Sequence, residues 1–443
     1  MKPKPTIRTP QRELFRVELV SLVDLAHPLV KLGEKMNWPV FDEQLGQTFD
    51  GKTGAPGINT RLMVALHYLK YQYNLSDEAV VARWVENPYW QHFSGHQFFE
   101  HELPIDPSSM TRWRKRLGEA GAETMLKATI EAGVAMKVIT TAQISHVNVD
   151  TTVQTKAIRY PTDSRLYDRA RERLVAHARK AGVKVKQSYA RVGKYLVMKS
   201  SRYAHARQMK RAKACTRKLR TNLGRVIREV ERQGEVASLS RLLMVCKRIH
   251  AQKAGDKNKI YSVHEPEVNC IAKGKAGKKY EFGQKVSVAV TSKCRWMLGA
   301  LCIAGNPYDG HTLQQQIDQV ERLCIKKPGE KTVHVDNMGY RGHNYGGDHG
   351  VIVDKRRRSE TPKRIWRWMK RRAAVEPTIG HLKTDHRLDR NLLRGTLGDS
   401  INAILSAAAM NFGKLMGFLW PILFQLLESL LPKLSNDRKC CAV

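Results

Sequence analysis

Three acidic side chains stand in contexts that could bring them to one metal ion. Asp150 follows the alternating stretch 146–149 and Asp336 follows 333–335, so both are predicted at the ends of valine-rich strands. Glu376 lies in a strongly basic stretch that is predicted to be helical. Mg²⁺ prefers oxygen ligands and usually keeps waters or substrate phosphates in its shell. The three carboxylates therefore predict a Mg²⁺ site.

Two basic residues accompany Glu376. Arg372 precedes it by four residues and Lys383 follows it by seven, a spacing that predicts one face of a single helix. Two divalent ions about 3.5 to 4 Å apart can activate a water or a 3'-hydroxyl and stabilise the leaving oxygen of a phosphodiester. We expect Asp150 to bridge two such Mg²⁺ ions, with Mn²⁺ as the alternative metal, and Arg372 and Lys383 to hold phosphates or offset the negative charge.

Each of these signals is ambiguous when it is taken alone. An aspartate at a strand end is more often a turn or helix cap, and a glutamate four residues after an arginine is more often an ordinary helix pair. Rival carboxylates in the same region are Asp309, Asp354 and Glu281. The order and context of the three chosen carboxylates distinguish them.

The composition indicates a polyanionic partner. The 443 residues include 77 Lys+Arg against 41 Asp+Glu, which gives a formal net charge of +36. Such a field attracts DNA, and it would also attract an anionic membrane surface. The eight cysteines show no paired C-x-x-C spacing, so neither a zinc site nor a disulfide framework is expected. The default location is a reducing cytoplasm, because no secretory signal is visible.

The apolar stretch 415–431 needs a separate interpretation. It is short for a bilayer span of about 20 residues, and it contains Pro421, Gln425 and Glu428. We therefore predict a packing helix or a dimer surface, and no membrane partner.

A basic helix is predicted near residue 110. The region 57–118 has helical periodicity, a helix is expected to open at Ser76, and Gly118 is expected to end a helix that Ser108 or Ser109 caps. Helix, turn and basic helix would suit a helix-turn-helix reader of DNA. A solvated basic face on an ordinary helical bundle is the alternative. The candidate DNA-binding residues are Arg112, Trp113, Arg114, Lys115 and Arg116, although the spacing of Trp113 and Leu117 points both of them inward.

The chain is expected to form an α/β fold with a mixed sheet covered by helices. Residues 161–259 read as a helical insertion, with 28 Lys and Arg against 7 Asp and Glu, and they are predicted to track phosphates. A capping box at Thr312 and a helix cap at Asp399 are also predicted. The predicted domains are an N-terminal helical DNA-binding domain at 1–135, a catalytic core at 136–160 and 260–415, the basic insertion at 161–259, and a C-terminal apolar helix and tail at 416–443.

These residues carry a resemblance to a known family. A strand aspartate, a strand Asp-x-x-Gly-Tyr-x-Gly and then Arg-x3-Glu-x6-Lys resemble the DDE transposases of bacterial insertion sequences, in particular the insertion-sequence-five family. Other phrases are similar too, and they are Tyr160-Pro161-Thr162-Asp163, Gly305-Asn306-Pro307-Tyr308-Asp309-Gly310-His311, Asp389-Arg390-Asn391-Leu392-Leu393-Arg394-Gly395, and the stretch from Gly398-Asp399 to Asn411. The resemblance implies an RNase H-like core in which Asp150, Asp336 and Glu376 are the catalytic triad. It also implies that Lys383 and Arg372 are accessory residues.

The expected function follows from the resemblance and the residues together. It is binding of terminal inverted repeats, metal-dependent cleavage of the transposon ends, and strand transfer into target DNA by a bacterial, nucleoid-associated enzyme that is a homodimer in its double-stranded DNA complex. A non-catalytic DNA-binding regulator and a related metal-dependent nuclease remain alternatives.

Overall fold

A computed structural model of the protein describes residues 16–46, 57–234, 236–253, 255–272, 277, 279–324, 333–336, 338–343, 345–353 and 362–420. The chain divides into two compact units. Unit 1 comprises the described residues within Met1–Gln154 and Lys285–Val443, and unit 2 comprises those within Thr155–Gln284. Unit 2 contains the predicted insertion at 161–259, and the predicted domain boundaries remain predictions.

The helices of unit 1 fall into an N-terminal and a C-terminal group. The N-terminal group is α1 (Leu19–Leu22), α2 (Pro28–Lys35), α3 (Trp38–Gly46), α4 (Thr60–Gln72), α5 (Asp77–Glu86), α6 (Pro88–Phe93), α7 (Ser108–Ala135) and α8 (Thr141–Ile144). The C-terminal group is α13 (Leu313–Leu323), α14 (Lys363–Arg372), α15 (Val375–Thr384) and α16 (Gly395–Phe418). Unit 2 contains α9 (Asp163–Lys180), α10 (Ala190–His205), α11 (Met209–Glu231) and α12 (Ala237–Ala251).

The strands form one mixed sheet, which confirms the predicted α/β class. They are β1 (His146–Thr155), β2 (Asn269–Ala272), β3 (Tyr280–Thr291), β4 (Met297–Ile303), β5 (Val333–Asp336) and β6 (Gly350–Val353). Their order is β2-β3-β1-β5-β6, and β4 also pairs with β3. β3 is antiparallel to β2 and to β4, whereas β5 is parallel to both β1 and β6.

Hydrogen bonds at both ends of β1 fix its direction against β3. The Ser292 amide donates to the His146 carbonyl over 2.8 Å, and the Lys156 amide donates to the Phe282 carbonyl over 2.9 Å. The first bond joins the start of β1 to the end of β3, and the second joins the end of β1 to the start of β3. The two strands are therefore antiparallel. β1 therefore separates the antiparallel part of the sheet from the parallel part.

Helix α16 organises the core of unit 1. It packs against α7, α4, α2 and β4. The spacing of Ile401, Ile404, Leu405 and Ala408 predicts an apolar helix face, and the structure confirms it, since all four are buried. The prediction that Asp399 caps the helix is wrong, because α16 begins at Gly395 and Asp399 lies buried within it. The carboxylate instead accepts from Asn391 Nδ2 over 2.6 Å.

Gly118 divides the helix that carries the candidate DNA-binding residues. Its φ of +66° and ψ of −168° interrupt α7, which confirms the predicted break. Such a backbone conformation is open to glycine and strained for residues with a Cβ. The predicted serine cap is wrong, because the N-cap position of α7 is Pro107 and no side chain caps this helix. The Asp106 carboxylate accepts from the Ser108 amide over 2.8 Å just before it.

Two further predictions concern helix starts, and one of them is confirmed. A helix capped by Ser76 is confirmed, since its side chain accepts from the Ala79 amide over 3.1 Å. Thr312 is the N-cap residue of α13, but the predicted capping box is wrong, because the Thr312 hydroxyl donates to the Asp309 carbonyl over 2.8 Å and caps no amide of the helix.

Unit 2 has its own apolar core. The spacing of Leu166, Ala170, Leu174 and Val175 predicts an apolar stripe on one helix, and all four are buried in α9. Gly182 and Gly234 predict turns within this helical segment, and both lie between helices with φ values of +76° and +93°. Among the described helices none is both long enough and apolar enough to span a bilayer. The predicted C-terminal segment beyond residue 420 lies outside the described residues.

Candidate active site

Strand β1 places Asp150 in the interior of the sheet. The strand continues to Thr155, so the prediction that Asp150 stands at a strand end is wrong. Its neighbours Val147, Val149 and Val153 are buried, and Asp150 is only 8% exposed. The alternation of a strand puts Asp150 on the face opposite these valines. The Thr151 amide donates to its Oδ1 over 2.8 Å, so the carboxylate is partly fixed by its own backbone.

Arg372 forms an ion pair with this carboxylate. Its Nη1 lies 3.2 Å from Asp150 Oδ2, and both side chains are mostly buried. Arg372 ends α14, and the Trp368 ring in the same helix lies 4.6 Å from the His146 ring of β1. Helix α14 thus contacts β1 at two points four residues apart on each element. The structure brings together two residues that are 222 positions apart in the chain.

The prediction that Glu376 and Arg372 share one helix is wrong, because a turn at Ala373 and Ala374 separates α14 from α15. Pro377 explains the break. A proline has no amide hydrogen, and inside a continuous helix its ring would clash with the carbonyl four residues earlier, here that of Ala373. Proline is tolerated in the first turn of a helix, where Pro377 stands in α15.

The two remaining residues of the predicted C-terminal set differ in exposure. Glu376 is exposed near the start of α15, whereas Lys383 is half-buried in its last turn. Glu376 nevertheless acts on Asp150, because its negative charge raises the pKa of that carboxyl.

Asp336 is the last residue of β5, the strand beside β1. The register pairs Asn148 with Val335, one residue before Asp336 and two before Asp150. Neighbouring strands lie about 4.8 Å apart. The backbone positions of the two aspartates are therefore on adjacent strands, and the side chain of Asp336 lies outside the described part of the structure.

The balance of charge around Asp150 disfavours its ionised form. Burial is the largest cause, and it raises the pKa of this carboxyl above its ordinary value. The Arg372 guanidinium and the Thr151 amide lower the pKa, whereas the charges of Asp309 and Glu376 raise it further. A bound cation would reverse this balance, since opposite charge favours the carboxylate.

Asp309 is the residue that the sequence left only as a rival carboxylate. Lys285 Nζ on β3 lies 2.8 Å from its Oδ1 and also donates to the Pro307 carbonyl over 2.6 Å. This fixes the loop 305–311 near Asp150. The signal was present in the sequence, because the loop is one of the phrases that carry the family resemblance.

The same loop packs against the turn after β5. The Tyr308 hydroxyl donates to the Arg341 carbonyl over 2.7 Å. A Cβ on Gly310 would lie 3.2 Å from His343 Cα, so a larger residue would press on the backbone of that turn. Glycine therefore permits a close approach between two segments that border the strand ending at Asp336.

Among the described side chains no group of three His, Cys, Asp or Glu residues is placed to hold a metal ion. That set does not include the carboxylate of Asp336. The ligand type suits a hard divalent ion, because Asp150, Asp309 and Glu376 all offer carboxylate oxygens. A bound divalent cation would also offset the repulsion that Asp309 and Glu376 exert on the charge of Asp150.

The candidate DNA-binding helix presents only part of the predicted set. Arg112, Lys115 and Arg116 are exposed, whereas Trp113 and Arg114 are 6% and 4% exposed. The prediction that Trp113 and Arg114 contact DNA is therefore wrong, although the inward direction of Trp113 and Leu117 is confirmed. The Trp113 ring lies 4.7 Å from the His67 ring.

Arg114 is committed to a buried ion pair. Its two terminal nitrogens contact the two Asp77 oxygens over 2.8 and 2.5 Å, and Lys70 contacts the same carboxylate over 2.7 Å. Burial opposes the charge of Asp77, but Arg114 and Lys70 together hold its pKa well below the usual range. Burial and the Arg114 charge lower the pKa of His67 to about 3, so His67 is neutral. Removing one partner from such a cluster would leave a buried charge uncompensated.

The chain matches two families. Residues 17–116 match the family described as Transposase domain (DUF772), and residues 324–416 match the family described as Transposase DDE domain. The chain carries two transposase domains. These matches support the predicted DDE transposase and leave the assignment to the insertion-sequence-five family as a prediction.

A curated relative is similar to part of this chain. A Rhizobium meliloti protein named "Uncharacterized protein ORF8 in nfe locus" is 51% identical over 198 residues, which cover 45% of this chain and 95% of the relative. The chain belongs to the same family as that protein. No solved structure matches the chain.

Proposed function

We propose that the protein is a DDE transposase that binds the terminal inverted repeats of an insertion sequence, cleaves the DNA ends and joins them to target DNA. The observation that carries the proposal is the position of Asp150, in the strand beside the one that ends at Asp336 and in contact with Arg372. Transposases act on DNA, so DNA is the partner that the two matched families indicate.

An RNase H-like catalytic core is part of the proposal. The sheet supports it, because antiparallel strands β4 and β3 precede β1 in spatial order and parallel strands β5 and β6 follow it. In this arrangement the first acidic residue lies in the central strand and the second in the adjacent parallel strand. Helix α15 supplies Glu376 as the third.

The proposed chemistry uses two Mg²⁺ ions, with Mn²⁺ as the alternative metal, held by Asp150, Asp336 and Glu376. The ions would activate the attacking water or 3'-hydroxyl and stabilise the leaving oxygen. Asp309 is a further carboxylate close enough to act on Asp150. Arg372 holds Asp150 in place, and Lys383, on the same helix as Glu376, would contact a phosphate of the DNA.

The exposed residues Arg112, Lys115 and Arg116 are proposed to contact the phosphates of duplex DNA. Residues of this type at a helix surface fix position on the backbone without reading sequence. Two copies of the chain, one on each transposon end, are proposed to act as a dimer during strand transfer.

Nicking of supercoiled plasmid tests the enzyme assignment. The wild-type protein is expected to nick with Mg²⁺, and Asp336→Ala is expected to lose this activity while it still binds duplex DNA. The matched control is Asp318→Ala, which removes an exposed aspartate of α13 and is expected to nick normally. Nicking by Asp336→Ala would contradict the proposal, and binding without nicking by the wild type would favour a regulator.

Strand transfer separates a transposase from a related nuclease. The substrate is a pre-cut DNA end that carries the inverted repeat bracketing this reading frame, mixed with a plasmid target. Covalent joining of the 3'-hydroxyl to the plasmid is expected. Plasmid cutting without joining would leave a nuclease.

A further inference from the structure

A cavity within unit 2 lies outside the acidic site. Its volume is about 470 Å³, and its walls come from the segment 157–161, the first turns of α9, Val197 and the segment 261–264. Cavities of about 300 to 1,000 Å³ are the size that binds small organic groups. The cavity is therefore large enough for one nucleotide.

An aromatic side chain stands at this cavity with an open face. Tyr160 is 60% exposed, although a large apolar ring is usually covered. Its ring meets Phe282 at 5.4 Å and 88°, and Tyr261 meets the same phenylalanine at 5.3 Å. An edge contact with Phe282 occupies at most one face of Tyr160. The other face is available for a base to stack on.

The cavity has a surplus of positive charge that could bind phosphate. The acidic residues are paired, since Asp168 contacts Arg171 over 2.7 Å and Glu172 contacts Arg169 over 2.5 Å. Arg159 and Arg165 are exposed, and neither has a carboxylate partner within the described residues. Guanidinium groups bind phosphate in a bidentate manner, so this surplus positive charge suits a phosphodiester.

The cavity walls are fixed before any ligand arrives. Lys156 lies 3.4 Å from Glu265, and both side chains are buried, which ties the segment before the cavity to the segment after it. The Lys156 backbone also bonds to Phe282, the residue that supports both tyrosines. A pre-formed site loses little conformational entropy on binding.

We infer that this cavity binds one unpaired nucleotide of DNA, with its base stacked on Tyr160 and its phosphates on Arg159 and Arg165. A base inside a duplex has both faces covered by its neighbours, so only an extrahelical base could use this ring. The inference rests on the proposed function in one respect, which is that DNA is the substrate.

The test uses three 20-base-pair DNA duplexes of one sequence. The first is fully paired, the second carries one bulged 2-aminopurine, and the third carries an abasic bulge. Stacking on one aromatic ring contributes roughly 5- to 160-fold in affinity. The wild-type protein is expected to bind the bulged base about tenfold more tightly than the other two duplexes, and to quench its fluorescence.

Variants then locate the effect. Tyr160→Ala is expected to abolish both the preference and the quenching, while its affinity for the paired duplex changes less than about twofold. Tyr195→Ala, which removes an exposed tyrosine of α10, is the matched control and is expected to keep the preference. Arg165→Ala is expected to weaken binding of the bulged duplex while quenching by the bound fraction persists.

Three results would overturn the inference. One is equal affinity of the wild type for the bulged and paired duplexes, and another is a Tyr160→Ala protein that retains the preference. Equal affinity for the abasic and bulged bases would show recognition of a bent backbone instead of a base, which also contradicts it. Failure to bind any duplex would count against the proposed function instead.

Discussion

At the scale of single residues, the charge of Asp150 is the feature on which the proposed chemistry depends. Burial raises the pKa of Asp150, and the charges of Asp309 and Glu376 raise it further. The Arg372 charge lowers this pKa and offsets only part of the increase. In the folded protein this carboxyl therefore holds its proton to a higher pH than in the unfolded chain. Its ionisation opposes folding, and a divalent cation beside it would remove that opposition.

The substitution Asp150→Asn tests this balance. A raised folded pKa contributes stability that is present below the ordinary value of 3.8 and is lost as the pH rises through the folded pKa. The melting temperature of the wild type relative to Asp150→Asn should therefore fall as the pH rises from about 4 to 7. Added Mg²⁺ should raise the melting temperature of the wild type at pH 7 and not that of the variant. Nicking should drop by roughly 100-fold or more.

A pH-independent difference in melting temperature between these two proteins would contradict the assignment of a raised pKa to Asp150. The control is Glu34→Gln, which neutralises an exposed acidic residue of α2 and should leave both the Mg²⁺ response and nicking unchanged.

Arg372 is expected to act through Asp150. Arg372→Ala removes the largest influence that lowers the pKa of Asp150, so this pKa should rise further. The acid limb of the pH profile for nicking should move to higher pH, and Arg372→Lys should move it partly back. Arg371→Ala, at the exposed arginine beside it in α14, is the matched control. A uniform loss of rate at every pH would show instead that Arg372 does not tune Asp150.

At the scale of elements, the break between α14 and α15 sets the direction of Glu376 relative to Arg372. Pro377→Ala would supply an amide that can donate to the Ala373 carbonyl and so favour one continuous helix. We expect the free energy of unfolding to change by less than about 1 kcal/mol. Nicking should fall by about tenfold or more, because displacement of a catalytic group by about 1 Å can reduce the rate 100-fold.

Urea unfolding and plasmid nicking measure the two effects of Pro377→Ala. The control is Pro362→Ala, which replaces the exposed proline just before α14 and should change neither quantity beyond about twofold or 0.5 kcal/mol. Unchanged nicking in Pro377→Ala would mean that the break does not position Glu376.

The sequence predicts the helices and strands better than it predicts where they begin and end. The patterns at 280–290 and 296–303 predict strands where β3 and β4 lie, and helical spacing predicts the buried faces of α16 and α9. Burial of alternate or helically spaced residues leaves a direct record in the chain. Helix starts were less certain, since a polar residue such as Asp399 can serve equally as a cap or as a buried partner of Asn391. Pro377 was a readable signal for the break in the C-terminal helix.

The candidate site was less predictable than the fold for a related reason. Arg114 has the residue type of a DNA contact, but only the fold shows Asp77 beside it. Likewise, Asp309 gains significance from Lys285 on β3 and from its charge on Asp150. Which of several carboxylates meet is set by long-range packing, and no local pattern encodes it.

The buried asparagines of α16 illustrate how a family phrase can serve structure. Asn411 accepts from the Met297 amide over 2.9 Å and donates to the Met297 carbonyl over 2.8 Å and to Thr129 over 3.1 Å. It thereby satisfies backbone groups of β4 and joins α16 to α7. The resemblance at this position thus reflects the packing that supports the sheet and not a contact with substrate.

At the scale of the whole molecule, positive charge is concentrated in one segment. Residues 161–259 contain 28 Lys and Arg against 7 Asp and Glu, whereas the entire chain has a net charge of +36. Over half of the excess therefore lies in about a quarter of the sequence. This distribution favours unit 2 as the main source of non-specific affinity for DNA, since each neutralised phosphate releases counterions.

The dependence of DNA binding on salt tests this distribution. The affinity of the wild type for duplex DNA should fall steeply with salt, and the logarithmic slope should decrease by about 0.9 for each phosphate contact that is removed. One fourfold alanine variant removes exposed cations of unit 2, namely Arg191, Lys194, Arg202 and Lys210. The matched variant removes exposed cations of unit 1, namely Lys35, Arg83, Lys137 and Lys293.

Both variants lose the same net charge, so a difference between them reports position and not total charge. The unit 2 variant should reduce the slope by about 2 to 4, and the unit 1 variant by less than about 1, as measured by fluorescence anisotropy from 50 to 300 mM salt. Because all eight side chains are exposed, neither variant should alter the melting temperature by more than a few degrees. Equal slopes for the two variants would mean that DNA senses the overall field of the protein, and unit 2 would then have no special part in binding.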